Sequence, residues 1–184
     1  MSDSPFLTDA VGELKKYKKM AEGAFAQISD KQWFAGTDAE ANSVGIIVKH
    51  MTGNMRSRWT DFLTTDGEKP NRERDTEFEV YPDDSVAGLK GRWDAGWKLV
   101  FDAIEPLQAK DLDRTVTIRG EPHTVLQAVM RQLTHYASHI GQIVFLCRQL
   151  VGPKWKSLSI PRGQSKAFEV AKSGVTYKPG EKQK

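Results

Sequence analysis

His135 and His139 stand four residues apart in LTHYASHIGQIVFLCRQL, a stretch whose apolar pattern is helical throughout. A helix advances about 100° and 1.5 Å per residue, so positions i and i+4 stack on one face about 6 Å apart, and both rings can reach one metal ion. His50 offers a third imidazole. It lies in a second helical stretch, NSVGIIVKHMTGNMRSRWTDFL, flanked by Ile47, Val48 and Met51, where a lone titratable group is poorly placed. Three histidines with coordination positions left over suit a catalytic metal centre better than a closed structural one.

Other side chains cluster around this trio. On the His135 helix a three-four alternation sets Val125, Ala128, Gln132, His135, His139, Gln142 and Leu146 on one inward strip. Beside it run Leu126, Val129, Leu133, Tyr136, Ile140, Ile143 and Cys147. Burying the two glutamines and two histidines without partners costs about 1 to 3 kcal/mol each, so a polar group is expected at their centre. Asn54, one turn from His50, and Gln132 and Gln142, flanking the pair, are candidates to orient ligands or substrate. Arg58, two turns from His50, is a candidate for an anionic group on a substrate or thiol, the alternative being a surface cation. His123 lies in the hairpin before the helix, twelve residues from His135, too far to join the trio unless the hairpin folds back, and reads as a surface or hairpin side chain. Cys147 is about 12 Å beyond His139 along the axis and reads as a small buried hydrophobe.

Four long helices must hold these groups. Leu7, Val11, Leu14, Ala21, Phe25 and Ile28 predict the first, from about Pro5 to Ile28, with Ser4 as cap and Pro5 at its first position. The second spans about Asn42 to Leu63, and the third runs from Asp84 or Ser85 through Val86, Leu89, Trp93, Val100 and Ile104. Val116 and Ile118 alternate with polar residues before Gly120, a short hairpin. Thr124 and Gln127 then form a capping-box pattern, and the fourth helix continues to Val151, where Gly152 and Pro153 stop it. The expected domain covers residues 1–165, with 166–184 a partly disordered tail. Residues 65–83, TDGEKPNRERDTEFEVYPD, lack a regular pattern and read as a solvated loop, the alternative being a strap near the metal. Their length suits a crossover between parallel second and third helices better than a tight turn.

Composition narrows the class. With 39% hydrophobic and 28% charged residues over 184 positions, the chain is of the soluble globular type. No apolar run approaches the roughly 18 residues of a membrane span. The N-terminus lacks a signal or transit pattern, and the single Cys147 agrees with a reducing compartment, so a cytoplasmic protein is expected. A net charge of +3 is a weak excess; Lys15, Lys16, Lys18 and Lys19 suit the wet face of an amphipathic helix, and no nucleic-acid partner is expected.

The helix order, the inward His50 and the His135-x-x-x-His139 pair join the phrases NSVGIIVKH, RWTDFLTTDGEKPNRERD, TIRGEPHTVLQAV and QLTHYASHIGQIVFL. Together they resemble the DinB-like superfamily of metalloenzymes, in a subfamily of unassigned function, over about residues 5 to 165. The resemblance implies an all-α four-helix bundle in up-down-down-up order and a homodimer. It implies Zn or Ni on His50, His135 and His139, and for some relatives a low-molecular-weight thiol as cosubstrate in transferase or isomerase reactions.

Neutral imidazoles leave a metal its full charge, so a bound water or thiol loses its proton near neutral pH. Hydrolysis wants a carboxylate base as well, and the Glu of a His-Glu-x-x-His helix is absent, since Tyr136, Ala137 and Ser138 separate the pair. Asp61 is about 16 Å from His50 along its helix. The favoured expectation is a metal-dependent transferase that directs a thiolate at a small electrophile. A hydrolase using metal-bound hydroxide and a non-catalytic metal-binding stress-response module are the alternatives.

Overall fold

The computed structural model describes residues 2–36, 38 and 40–165, so the tail expected over 166–184 lies outside the described residues. The chain is mainly helical, with one two-stranded antiparallel sheet. Each long helix begins at a hydroxyl that accepts an otherwise orphaned backbone N–H. Ser4 caps α1 (Pro5–Phe25) through Leu7 N at 3.4 Å. The first helix stops before the expected Ile28, because Ser29 and Gln32 form a capping box that starts a separate short α2 (Asp30–Trp33). Ser43 caps α3 (Val44–Trp59) through Ile46 N at 3.3 Å, and Ser85 caps α4 (Val86–Ile104) through Gly88 N at 3.2 Å.

The α3 helix also ends sooner than its apolar stripe suggests. Thr60 turns extended and Asp61 takes φ 49°, so the carbonyl of Asp61 receives Thr64 N and Thr65 N at 3.0 Å instead of continuing the helix. Strands β1 (Thr115–Ile118) and β2 (Glu121–Thr124) form the expected hairpin. Its two turn residues, Arg119 at φ 58° and Gly120 at φ 77°, have the positive φ of a tight hairpin turn. Helix α5 (Val125–Val151) starts at the Thr124–Gln127 capping box, with bonds of 3.1 and 2.9 Å, and ends at Gly152, φ 63°.

Helix α1 packs along α5 and α3 along α4, while α3 also lies against α5. Large apolar side chains fill the space between them, Trp33, Trp93, Trp97 and Met55 being fully buried. Close approach of α3 to α4 depends on Gly96, where a Cβ would come within 2.9 Å of Met55 Sδ. Near the start of both helices Lys49 Nζ reaches Asp84 Oδ2 at 2.6 Å and the carbonyl of Glu79 at 2.6 Å. On α5 the buried face includes Val129, Tyr136, Ile140, Ile143 and Cys147, but Leu126 is exposed, because nothing covers the helix there.

Residues 65–83 are largely exposed, as a solvated loop should be, yet part of the segment is strapped to α3 and the hairpin. Gly67 N bonds the carbonyl of Thr117 at 2.7 Å, and Gly67 O accepts from Ser57 Oγ at 2.9 Å. Asp66 accepts from Arg119 N at 2.9 Å and Gly120 N at 2.8 Å, holding the hairpin turn. Glu68, Arg72 and Glu77 are spent on internal pairs, which lets this part of the segment lie down on α3, while Glu73, Arg74, Asp75, Glu79 and Asp83 stay exposed.

The Lys49–Asp84 pair tests how α3 and α4 are tied. Burial raises the Asp84 carboxyl, but the Lys49 ammonium and Tyr81 N–H outweigh it and hold the group below its ordinary 3.8. A depressed folded value stabilises the protein above about pH 4 and ceases to do so as pH falls through the folded value. Chemical denaturation of Asp84→Asn should show a loss of about 3 kcal/mol at pH 7, since Lys49 is left buried and unpaired. The difference from wild type should shrink below about pH 4.

Candidate metal centre

His50 comes from the middle of α3, and His135 and His139 from successive turns of α5. Their Nε2 atoms converge: His135 Nε2 lies 3.3 Å from His50 Nε2 and 3.0 Å from His139 Nε2, and all three ligand atoms fall within 4.8 Å of one another. Three nitrogens at about 2.0 to 2.1 Å from one ion stand about 2.9 to 3.4 Å apart at octahedral to tetrahedral angles. The two spacings to His135 match those of ligands on one divalent ion. His50 is buried, whereas His135 and His139 are half-buried at the mouth between the helices.

The far nitrogens explain why the near ones are free. His50 Nδ1 donates to Glu77 Oε2 at 3.0 Å, and His139 Nδ1 donates to Gln142 Oε1 at 2.9 Å. With their protons held there, both Nε2 lone pairs face the common point, and a single proton on His135 cannot satisfy two of them at once. Such an arrangement calls for a cation. Burial, then the neighbouring His139 and His50, push His135 down to about 3, and burial outweighs the Gln142 bond to lower His139. Both rings are thus neutral and able to donate at ordinary pH.

Glu77 is the site residue that sequence reasoning missed. It sits on a single turn of 3-10 helix, Arg74–Phe78, within the segment expected to be solvated. Burial raises its carboxyl, but hydrogen bonds from His50 and Arg72 outweigh that and keep it below the usual range. Arg72 grips it twice, Nε to Oε1 and Nη2 to Oε2, each at 2.9 Å. Its approach requires Gly53, one turn from His50, where a Cβ would lie 2.1 Å from Glu77 Oε1. The reading that none of the histidines has an obvious partner is corrected accordingly for His50. The carboxylate serves the far side of His50, with both oxygens occupied, and so is not aimed at the ion as a base.

The remaining candidates divide. Gln142 is exposed rather than inward, because the cover of α5 stops short of it, yet it does orient His139. Gln132 is 3% exposed and lines the cavity beside His50 and His135. Asn54 lines it too, and its Oδ1 accepts from the Tyr136 hydroxyl at 3.1 Å, which accepts from Trp59 Nε1 at 2.9 Å. Arg58 is no surface cation: at 5% exposure it pairs with Glu68 at 3.0 Å and donates to the carbonyl of Gly67. His123 stays on the hairpin, bonded to the carbonyl of Glu121 at 3.0 Å. Cys147 is buried, its thiol pushed up to about 12 by desolvation, as a small hydrophobe should be. Cavities of about 650 and 530 Å³ lie against the 65–83 segment, but neither is lined by a histidine; the one beside the trio measures about 420 Å³.

Elemental analysis of purified variants should show metal lost from His50→Ala, His135→Ala and His139→Ala and kept in His123→Ala. Competition titration should find affinity about ten- to a hundredfold weaker in Glu77→Gln, as for other groups that orient a ligating histidine. Gly53→Ala separates the site from the helix. Alanine is the better helix former by about 1 kcal/mol, yet the variant should bind metal as weakly as Glu77→Gln, because its methyl occupies the place of the carboxylate.

The family described as "Protein of unknown function (DUF1572)" has a model that matches residues 2–164. No curated protein matches the chain. A match running from before α1 to beyond α5 takes in every helix that carries a histidine of the trio, and the chain belongs to the DUF1572 family, within the DinB-like superfamily.

Proposed function

We propose that the protein is a metal-dependent transferase that joins a low-molecular-weight thiol to a small electrophile, with Zn or Ni held by His50, His135 and His139. The observation that carries this is the convergence of three imidazole Nε2 atoms, those of His50 and His139 on rings whose Nδ1 is held by Glu77 and Gln142. An ion bound there supplies Lewis acidity, lowering the pKa of a thiol or water toward neutrality.

The choice of nucleophile follows from what surrounds the trio. Among the described residues no Asp or Glu lines the adjoining cavity, so a water attacking there has no such base to take its proton. A thiol needs none once its proton has left for solvent. The sulfur then forms its bond to carbon as the leaving group departs with its electron pair. That sulfur must come from outside, since Cys147, the chain's one cysteine, is buried elsewhere and protonated. Asn54 and Gln132 offer the polar walls that orient a bound molecule.

We take the scaffold to be the up-down-down-up four-helix bundle of the superfamily, formed by α1, α3, α4 and α5. The contact registers support it. From Lys49 with Asp84 to Met55 with Gly96, α3 and α4 advance together. Along α3 and α5 the sense is opposite, from His50 with His135 and His139 to Phe62 and Ala128 sharing one small cavity.

Two measurements check these readings. Spin labels at Thr64 and Ser85 should sit roughly a helix length apart, on the order of 25 Å; a separation of a few ångströms would show a hairpin and not a crossover. Cobalt-substituted protein titrated with small thiols should develop a sulfur-to-metal charge-transfer band, and should conjugate a thiol to a reactive electrophile far faster than His135→Ala does. Metal-dependent ester or amide turnover with no spectral response to thiols would establish the hydrolase instead. Metal binding with no turnover across a broad panel would leave a binding module.

A further inference from the structure

The cavity beside the three histidines is walled by arginine. Arg58, Arg72, Arg74, Arg119 and Arg131 all line it, together with His50, Asn54, Gln132 and His135, and among the described residues no Asp, Glu or Lys does so. Two carboxylates serve this group from behind. Glu68 pairs with Arg58 at 3.0 Å, Arg119 at 2.8 Å and Arg72 at 3.5 Å, while Glu77 takes Arg72 and His50. Arg58 Nε is buried with no acceptor among the described residues. Arg74 stacks over the Phe78 ring at 5.0 Å, and neither it nor Arg131 makes an ion pair among the described residues.

The guanidinium charges that Glu68 and Glu77 do not balance repel one another around a hollow that also faces a cation site, less so at the exposed rim where water screens them. What relieves that repulsion is an anion. The donors are of the right kind, because a guanidinium presents a planar fork that matches the paired oxygens of a carboxylate or phosphate, and an ammonium does not. Placement matters as well. Arg131 lies one helical turn before His135, about 6 Å along the axis, so an oxyanion held by it keeps neighbouring atoms of the same molecule within reach of the trio. The volume, about 420 Å³, falls in the range of about 300 to 1,000 Å³ typical of small-molecule sites.

We propose that this cavity binds a small molecule bearing carboxylate or phosphate groups, gripped by Arg131, Arg74 and Arg119 at the rim over a floor of Arg58 and Arg72, with its reactive carbon toward the three histidines. The inference deepens the thiol-transfer reading and rests on it for the reactive carbon. The anion grip itself rests on the arginines alone. Either the electrophile or the thiol then carries the anionic group, and a pair in which both are uncharged would react poorly.

Calorimetric titration of the metal-loaded full chain with inorganic phosphate and, separately, with succinate tests this at fixed ionic strength. Metal content is measured on every sample. Saturable binding of at least one probe is expected, phosphate preference marking a phosphorylated ligand and succinate preference a carboxylated one. Arg131→Gln and Arg74→Gln, both at exposed positions outside the core, should each weaken it about tenfold. Lys98→Gln on the outer face of α4 should leave it unchanged. Absence of binding by protein with full metal content overturns the proposal and leaves the metal site standing, as does binding that both arginine variants retain. Arginine-dependent binding by protein that holds no metal supports the anion grip and removes the metal reading instead.

Discussion

Glu77 is a carboxylate inside the fold, and its burial constrains everything around it. A buried charge is costly unless paired and hydrogen bonded, and here Arg72 closes over both oxygens while His50 takes one of them. Satisfying Glu77 therefore requires three separate parts of the chain to be in place: the middle of α3, the turn Arg74–Phe78 and the stretch carrying Arg72. Arg72 also meets Glu68, which holds Arg58 and Arg119, and Arg119 starts the hairpin turn that leads into α5. One network of charges thus runs from the first histidine's helix to the element that launches the other two. The tautomer of His50 is fixed by the same contact that anchors the connecting segment.

Much of this was legible in the residues because helix periodicity is a local property. The pairing of His135 with His139 needs only their spacing, and the inward aim of His50 needs only its apolar neighbours. The Thr124–Gln127 capping box and the Ser4–Pro5 start are local too, and both stand where expected. Glu77 was not legible. It belongs to a five-residue 3-10 turn, too short for any period to mark it, in a run of charges whose partners lie far away in sequence. Gly53 reads as a weak point in a helix, and its reason appears only once Glu77 is seen to occupy the space. Gln142 and Leu126 show the converse limit: periodicity names a face, but where the cover over that face ends depends on the lengths of other elements.

The site is asymmetric in its electrostatics. Behind the histidines lie fixed acceptors, Glu77 and Gln142, which take the Nδ1 protons of His50 and His139 and leave each Nε2 facing forward. In front lies a cavity whose charged walls are all guanidinium. A divalent ion at the trio would add to that positive face rather than neutralise it, because imidazole ligands carry no charge of their own. Thiolate and oxyanion groups are the natural guests of such a face, and a neutral hydrocarbon is not. The same asymmetry argues against a structural role, since a closed structural site has no use for a charged chamber at its open side.

Register between α3 and α5 decides whether the three nitrogens meet at all. Sliding one helix by a residue moves its histidine by about 1.5 Å, enough to take a ligand out of bonding distance. One turn below the site, Trp59 Nε1, the Tyr136 hydroxyl and Asn54 Oδ1 form a buried hydrogen-bonded chain between the same two helices. Burial raises the Tyr136 phenol, so it remains a donor to Asn54 at any ordinary pH. Tyr136 neighbours His135 in sequence, and Asn54 stands one turn from His50, so any slip that separated the nitrogens would also strand buried polar groups, at about 1 to 3 kcal/mol each. The polar chain makes the register discrete where apolar packing alone would tolerate small shifts. Metal geometry is thereby set by groups that never touch the metal.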